Sequence, residues 1–203
     1  MDCRGRSYFG GSYGRYAGGM GAAALAVTTS ASGAEYTLTA QKDAAAQDLI
    51  YQHQSVNAAN AGAVAVEMGH AYSKLSFLAT AGNGYTGAAN LTQVQITGGI
   101  YATGTLNMLD GKVDPVGTAT GTLTLAAGEK ALVVPMAGQP TIAVTCTIDG
   151  KEFTANIKAD TMPSLLAGVE YEITLTVVGQ ETVISSVKEV PWTTTKVDGG
   201  TIS

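Results

Sequence analysis

Side chains able to do acid–base, nucleophilic or metal chemistry are scarce in this chain. His53 and His70 are the only histidines among 203 residues, too few for a convincing zinc site. His70 opens His70-Ala-Tyr-Ser-Lys-Leu-Ser-Phe77, so a hydrolytic pair with Ser73 can be drawn. No nucleophile elbow surrounds Ser73, however, and spacing singles out no acid to orient His70. His70 therefore reads as a structural residue at a strand start. Asp43 and Asp48 flank an Ala-rich stretch, and Glu170 and Glu172 alternate across a strand edge. All four read as solvated charges rather than a catalytic pair. Gly82-Asn-Gly-Tyr-Thr-Gly87 matches the dinucleotide fingerprint, but that motif must open a helix. Here the chain runs on through Ala88 into strand-like Thr92–Ile96, so a hairpin loop is the better reading. Cys146 lies in the alternating run Thr141-Ile-Ala-Val-Thr-Cys-Thr-Ile148 and reads as a small core residue, while Cys3 has no such pattern. No catalytic, cofactor or metal residue is assigned, and the chain reads as non-enzymatic.

The elements that would position any site follow from composition. Ala, Gly and Thr make up 83 of the 203 residues, and only 13% are charged. Thr and Val favour strands. A net charge of −5 argues against nucleic acid as a partner, which requires basic patches. No apolar run approaches the roughly 20 residues of a membrane-spanning helix. Two Cys cannot form a disulfide framework.

Period-two alternation recurs through the body. Lys74-Leu-Ser-Phe-Leu-Ala79 sets Leu75, Phe77 and Ala79 inward with Lys74 and Ser76 outward. Similar runs surround Tyr36, Val64, Val94 and Leu106, and a second group after Pro115 includes Ala131–Pro135, Thr141–Ile148, Glu152–Ile157 and Tyr171–Val178. Asp149-Gly150 is the strongest hairpin signal. Only Asp43–Leu49 and Pro163–Ala167 could form a helical turn. Short strands with frequent Gly turns predict an all-β fold of two β-sandwiches. The expected division is a flexible Gly/Tyr/Arg-rich tail over 1–21, one sandwich over 22–116 and another over 117–203.

The ordered set Asp48-Leu-Ile-Tyr51, His70-Ala-Tyr-Ser-Lys-Leu75 and Gly104-Thr-Leu-Asn107 resembles the fimbrillin-like proteins of Bacteroidales. Leu132-Val-Val-Pro135, Ile148-Asp-Gly-Lys-Glu-Phe153, Leu166-Ala-Gly-Val-Glu-Tyr171 and Pro191-Trp192 are similar to later strands of that family. The resemblance covers roughly residues 45–203. It implies two tandem transthyretin-like sandwiches in a type V pilus subunit, exported as a lipoprotein precursor to the outer surface. Its partners would be copies of itself or related pilins, joined by strand addition, and a host or bacterial surface ligand. The stretch before Asp48 is shorter than the family's usual first half. The expectation is therefore a misplaced start, or a first domain cut down and completed by a neighbour's strand.

Within that reading, Ala22, Leu25 and Val27 on one segment and Val197 and Ile202 on another are the candidate inter-subunit strands. Arg15 is the candidate processing site, since Arg4, Arg6 and Arg15 are the only arginines. Asn90 heads an Asn-Leu-Thr sequon. Thr161, in Asp160-Thr-Met162, is similar to the O-glycosylation acceptor of Bacteroidetes. The alternative is a monomeric adhesin or glycan-binding module on the same fold, with Tyr85 and Tyr101 as the stacking aromatics.

Overall fold

A computed structural model describes residues 12–19, 27–30, 33–44, 47–57, 66–67, 69–138, 141–192 and 196–197. Every helix or strand among the described residues is a strand. The first ten are β1 (Ser12–Gly19), β2 (Val27–Ser30), β3 (Gly33–Thr39), β4 (Gln41–Lys42), β5 (Ile50–Asn57), β6 (Val66–Glu67), β7 (Gly69–His70), β8 (Ser73–Ala81), β9 (Leu91–Ile100) and β10 (Thr103–Asn107). The rest are β11 (Val113–Val116), β12 (Gly121–Ala126), β13 (Ala131–Val133), β14 (Met136–Ala137), β15 (Ile142–Ile148), β16 (Lys151–Ile157), β17 (Ser164–Leu165), β18 (Val169–Val178), β19 (Glu181–Pro191) and β20 (Lys196–Val197).

Alternation decides which faces meet. In β15 and β18 every second side chain is buried, as period two requires of a strand with one face on a core. The larger core lies between the five-stranded sheet β19-β18-β8-β13-β4 and the four-stranded sheet β12-β9-β15-β16. Leu75, Phe77, Tyr171, Ile173 and Leu175 from the first sheet join Val94, Ile96, Val144, Phe153 and Ile157 from the second in this core. A smaller core gathers Leu38, Leu49, Ala71, Tyr72, Leu106, Met108, Leu132 and Val134. Leu38 and Leu106 come from the sheet β11-β10-β3-β2. The fold is all-β, as the sequence predicts.

The segment 131–134 explains how the two cores adjoin. Ala131 and Val133 belong to the larger core, Leu132 and Val134 to the smaller. A strand buried on both faces needs an uninterrupted apolar run, which Ala131-Leu-Val-Val134 supplies. Pairing crosses the expected division near residue 116: β8 and β9 lie in sheets with strands from the later half. The two cores are thus not consecutive pieces of chain. The parallel pairing of β8 with β18, from Glu170↔Lys74 to Val177↔Ala81, stitches the halves together.

Three local readings change. Ser164–Leu165, within the stretch allowed a helical turn, pairs with Met136–Ala137 as β17. Residues 12–19, within the expected flexible tail, pair along β5 as β1. The loop at Gly82–Gly87 is no hairpin, because β8 and β9 lie in different sheets and the loop arches across the sandwich. Asp149-Gly150 does close a two-residue hairpin, with Ile148 opposite Lys151. Positive φ at both positions, 49° and 76°, matches the twist of the flanking strands.

Candidate functional site

Where the two cores meet, the fold gathers charged and aromatic groups from five places along the chain. Asp43 follows β4, Asp48 precedes β5, His70 ends β7, Lys74 lies in β8 and Trp192 follows β19. His70 Nδ1 is 2.6 Å from Asp48 Oδ2, and Lys74 Nζ is 2.7 Å from Asp43 Oδ2. The Trp192 ring stacks on the His70 imidazole at 3.7 Å between centroids, 12° from parallel. Lys74 Nζ also lies over the Trp192 ring, 3.8 Å from its centroid, a cation–π contact strengthened by partial dehydration.

Burial tunes these groups. It pushes the Asp48 carboxyl above the usual carboxylate range, with the His70 contact opposing the shift. Asp48 Oδ1 is buried with no hydrogen-bond partner. Tyr72 is likewise pushed up by burial, and its Oη receives hydrogen bonds from Thr39 N at 3.2 Å and Gln41 Nε2 at 3.4 Å. Nearby, Lys130 Nζ sits 2.7 Å from Glu170 Oε1. Burial raises Glu170, but Lys130, Ser76 and Lys74 together outweigh it, and its carboxyl lies below its ordinary value.

A corner of backbone closes the site. Ser73 Oγ donates to Leu166 O at 2.7 Å, and Gly168 N donates to Tyr72 O at 2.9 Å. Leu166 N in turn donates to Tyr171 Oη at 3.0 Å. Gly168 has φ +73°, a left-handed conformation that suits glycine.

The chemistry of the arrangement is that of an anchored ion cluster. Asp48 and His70 are paired as the acid and imidazole of a hydrolytic triad would be, and this acid is the one sequence spacing did not single out. Ser73 is fully buried, with its hydroxyl engaged by the Leu166 carbonyl. Among the described residues no group of three or more His, Cys, Asp and Glu is arranged to hold a metal ion. Three of the four carboxylates read as solvated charges, Asp43, Asp48 and Glu170, are instead paired with Lys74, His70 and Lys130 in partly covered positions. Lys74 and Ser76 point away from the larger core, as alternation predicts, yet both are buried. The Lys74 ammonium is covered by the Trp192 ring and paired with Asp43. Trp192 was a mark of resemblance, and nothing in its sequence position ties it to His70.

The other expected residues lie elsewhere. Arg15 is opposite Gln54 in the β1–β5 pair, Val27 opposite Tyr36 in β2–β3, and Val197 opposite Val66 in β20–β6. Ala22, Leu25, Ile202 and Cys3 lie outside the described residues. Asn90 and Thr161 are exposed. Tyr101 packs against both cores. Tyr85 donates its hydroxyl to Asp149 Oδ2 at 2.6 Å, while Ala89 N and Asn90 N donate to the same carboxylate at 2.9 and 3.0 Å. The glycine-rich loop is therefore held by Asp149 rather than shaped around a phosphate. Cys146 is buried in the larger core, and burial raises its thiol to about 11.

Four of the five cluster residues, Asp48, His70, Lys74 and Trp192, also carry the sequence resemblance, and a fimbrillin-like family model matches residues 23–192, a span that includes all five. The chain belongs to the fimbrillin-like family. Its fold is also similar to solved structures. One is a proposed cell adhesion protein from Bacteroides uniformis, with TM-score 0.63 and 19% identity over 90% of this chain and 73% of that one. Another is a proposed cell adhesion protein from Bacteroides ovatus, with TM-score 0.60 and 18% identity over 93% of this chain and 70% of that one. At such identities the likeness establishes the fold. A comparison with curated proteins gave no match. In this fimbrillin-like chain, Asp48, His70, Lys74 and Trp192, far apart in sequence, thus meet at the junction of the two cores. Among the described residues, no helix is long and apolar enough to cross a membrane.

Proposed function

We propose that this fimbrillin-like protein is a structural, non-enzymatic subunit of a cell-surface pilus, and that subunits join by β-strand addition. Family membership supports the coarser part, a pilus-type protein at the cell surface. The observation that carries the finer part is β1. It lies along the outer edge of the sheet β1-β5-β7 and pairs with β5 through eight residues. Arg15 stands in the middle of it, opposite Gln54. Cleavage after Arg15 would detach Ser12–Arg15 and expose the edge of β5 from Gln54 to Asn57. An exposed edge is a template for a strand from another chain. The segments holding Ala22, Leu25 and Val27, and Val197 and Ile202, are the strands we assign to that exchange. Export as a lipoprotein precursor and trimming at Arg15 complete the proposal.

The test is trimming in solution. All three arginines lie in the first fifteen residues, so an Arg-specific protease cuts only there. Negative-stain microscopy should then show filaments or end-to-end oligomers, with none for Arg15→Lys. Isolated particles after complete trimming, confirmed by intact mass, would overturn the polymerisation mechanism.

A further inference from the structure

The contact between Lys74 and Asp43 places an amine against a carboxyl group with little water around it. Lys74 is 9% exposed, and the Nζ–Oδ2 separation is 2.7 Å. Both partners are held in place. Asp43 N donates to Lys130 O at 2.8 Å, and the Lys74 ammonium lies against the Trp192 ring. Gln41, Leu132 and Lys74 form one cross-strand row over β4, β13 and β8. The Lys74 side chain therefore crosses the line of β13 to meet Asp43 just past β4.

We propose that Lys74 and Asp43 condense into an intramolecular isopeptide bond, an amide between Lys74 Nζ and Asp43 Cγ. This goes beyond the reading as a pilus subunit and does not depend on polymerisation. Two charges removed from water carry a desolvation cost that an amide does not. Holding the two groups in contact replaces a bimolecular encounter, an advantage equivalent to effective concentrations of about 10⁵ M or more in well-oriented cases.

The reaction also needs a group to carry protons, and Asp48 is suited to that task. The charges of Lys74 and Asp43 both act on it, and burial favours its protonated form. Its Oδ2 contacts His70, while its buried Oδ1 has no partner. The ammonium first passes a proton to the Asp43 carboxylate across their contact. The nitrogen lone pair then attacks Asp43 Cγ and forms the C–N bond. The Cγ–O bond breaks as the departing oxygen takes a proton from Asp48, and the nitrogen returns one to Asp48. One ammonium and one carboxylate become one amide and one water, with no oxidant, reductant or nucleotide consumed.

The bond would staple β4, an edge strand held to β13 by only two residue pairs, to β8 at the centre of the sheet. Since β3 enters the smaller core and β4 the larger sheet, the staple would sit at the link between them.

Intact mass spectrometry of the full, denatured chain tests the idea. The expected mass is that of the sequence less one water, and a protease digest should yield a branched peptide joining Asp43 to Lys74. Asp43→Ala and Lys74→Arg should restore the water, and Asp48→Asn should leave most of the protein unlinked. The branched peptide in the unmutated chain is decisive even where a variant folds poorly. It also separates the bond from water loss at the Asp-Gly turns, which leaves peptides linear. A chain of full mass, or one lighter by water without a branched peptide, would show an ordinary salt bridge and overturn the proposal.

Discussion

Tyr171→Phe isolates one hydrogen bond at the corner that closes the junction. Tyr171 is 1% exposed, so the substitution keeps the ring in the larger core and removes only the hydroxyl. What is lost is the acceptor for Leu166 N at 3.0 Å. A buried hydrogen bond contributes about 1 kcal/mol, and an orphaned donor costs about 1–3 kcal/mol. The Leu166 side chain is half exposed, so water can partly replace the lost acceptor. The expected loss is therefore about 1–2 kcal/mol. With a urea m-value of about 3 kcal/mol/M, the midpoint should fall by roughly 0.3–0.7 M at constant m. Gly168→Ala gives an independent measure of the same corner. An added Cβ would come no closer than 3.9 Å to His70 O, so its cost comes from the left-handed backbone alone, about 1–2 kcal/mol. Because both changes act on one corner, their sum should depart from additivity. A Tyr171→Phe midpoint equal to the parent's, with Gly168→Ala clearly lowered, would show that the hydroxyl does not hold the corner.

Other expectations reach the rest of the molecule. Leu106 is fully buried in the smaller core; Leu106→Ala should cost about 2–5 kcal/mol in urea unfolding, depending on how far the cavity collapses. The Tyr85 hydroxyl, the first of several hydrogen bonds to Asp149, holds this carboxyl below its ordinary range. A depressed folded-state value adds stability above the unfolded value and loses it as pH falls through the folded one. Asp149→Asn should therefore flatten the acid limb of a midpoint-against-pH curve, and an unchanged limb would refute the clamp. Cys146, with its thiol raised to about 11, should resist iodoacetamide at mildly alkaline pH in the native protein and react in denaturant, as peptide mapping would read. Alkylation of the native protein at the rate of a free thiol would contradict its place in the core.

The residue pattern alone determined that this chain is built from strands. Alternation in Ile142–Ile148 and Tyr171–Val178 identifies which side chains face a core, because successive side chains on a strand point to opposite faces. The unbroken run at 131–134 carries the mark of a strand buried on both faces, and Asp149-Gly150 carries the conformational preference of its turn. These are local signals, written within a few residues.

Partners are another matter. Alternation does not say which strand lies beside which, so a division at residue 116 was the natural reading, while β8 in fact pairs in parallel with β18 across it. The same holds for the site. Asp48, His70, Lys74 and Trp192 could be marked individually by resemblance, but Asp43 carried no mark, and the carboxylates looked solvated. Their pairing depends on where the smaller core presses against the larger sheet, which puts Lys74 under Trp192 although alternation directs it outward. Sequence spacing fixes the face a side chain takes; only the packing of one sheet's outer face against a second core decides whether that face meets water or an opposite charge.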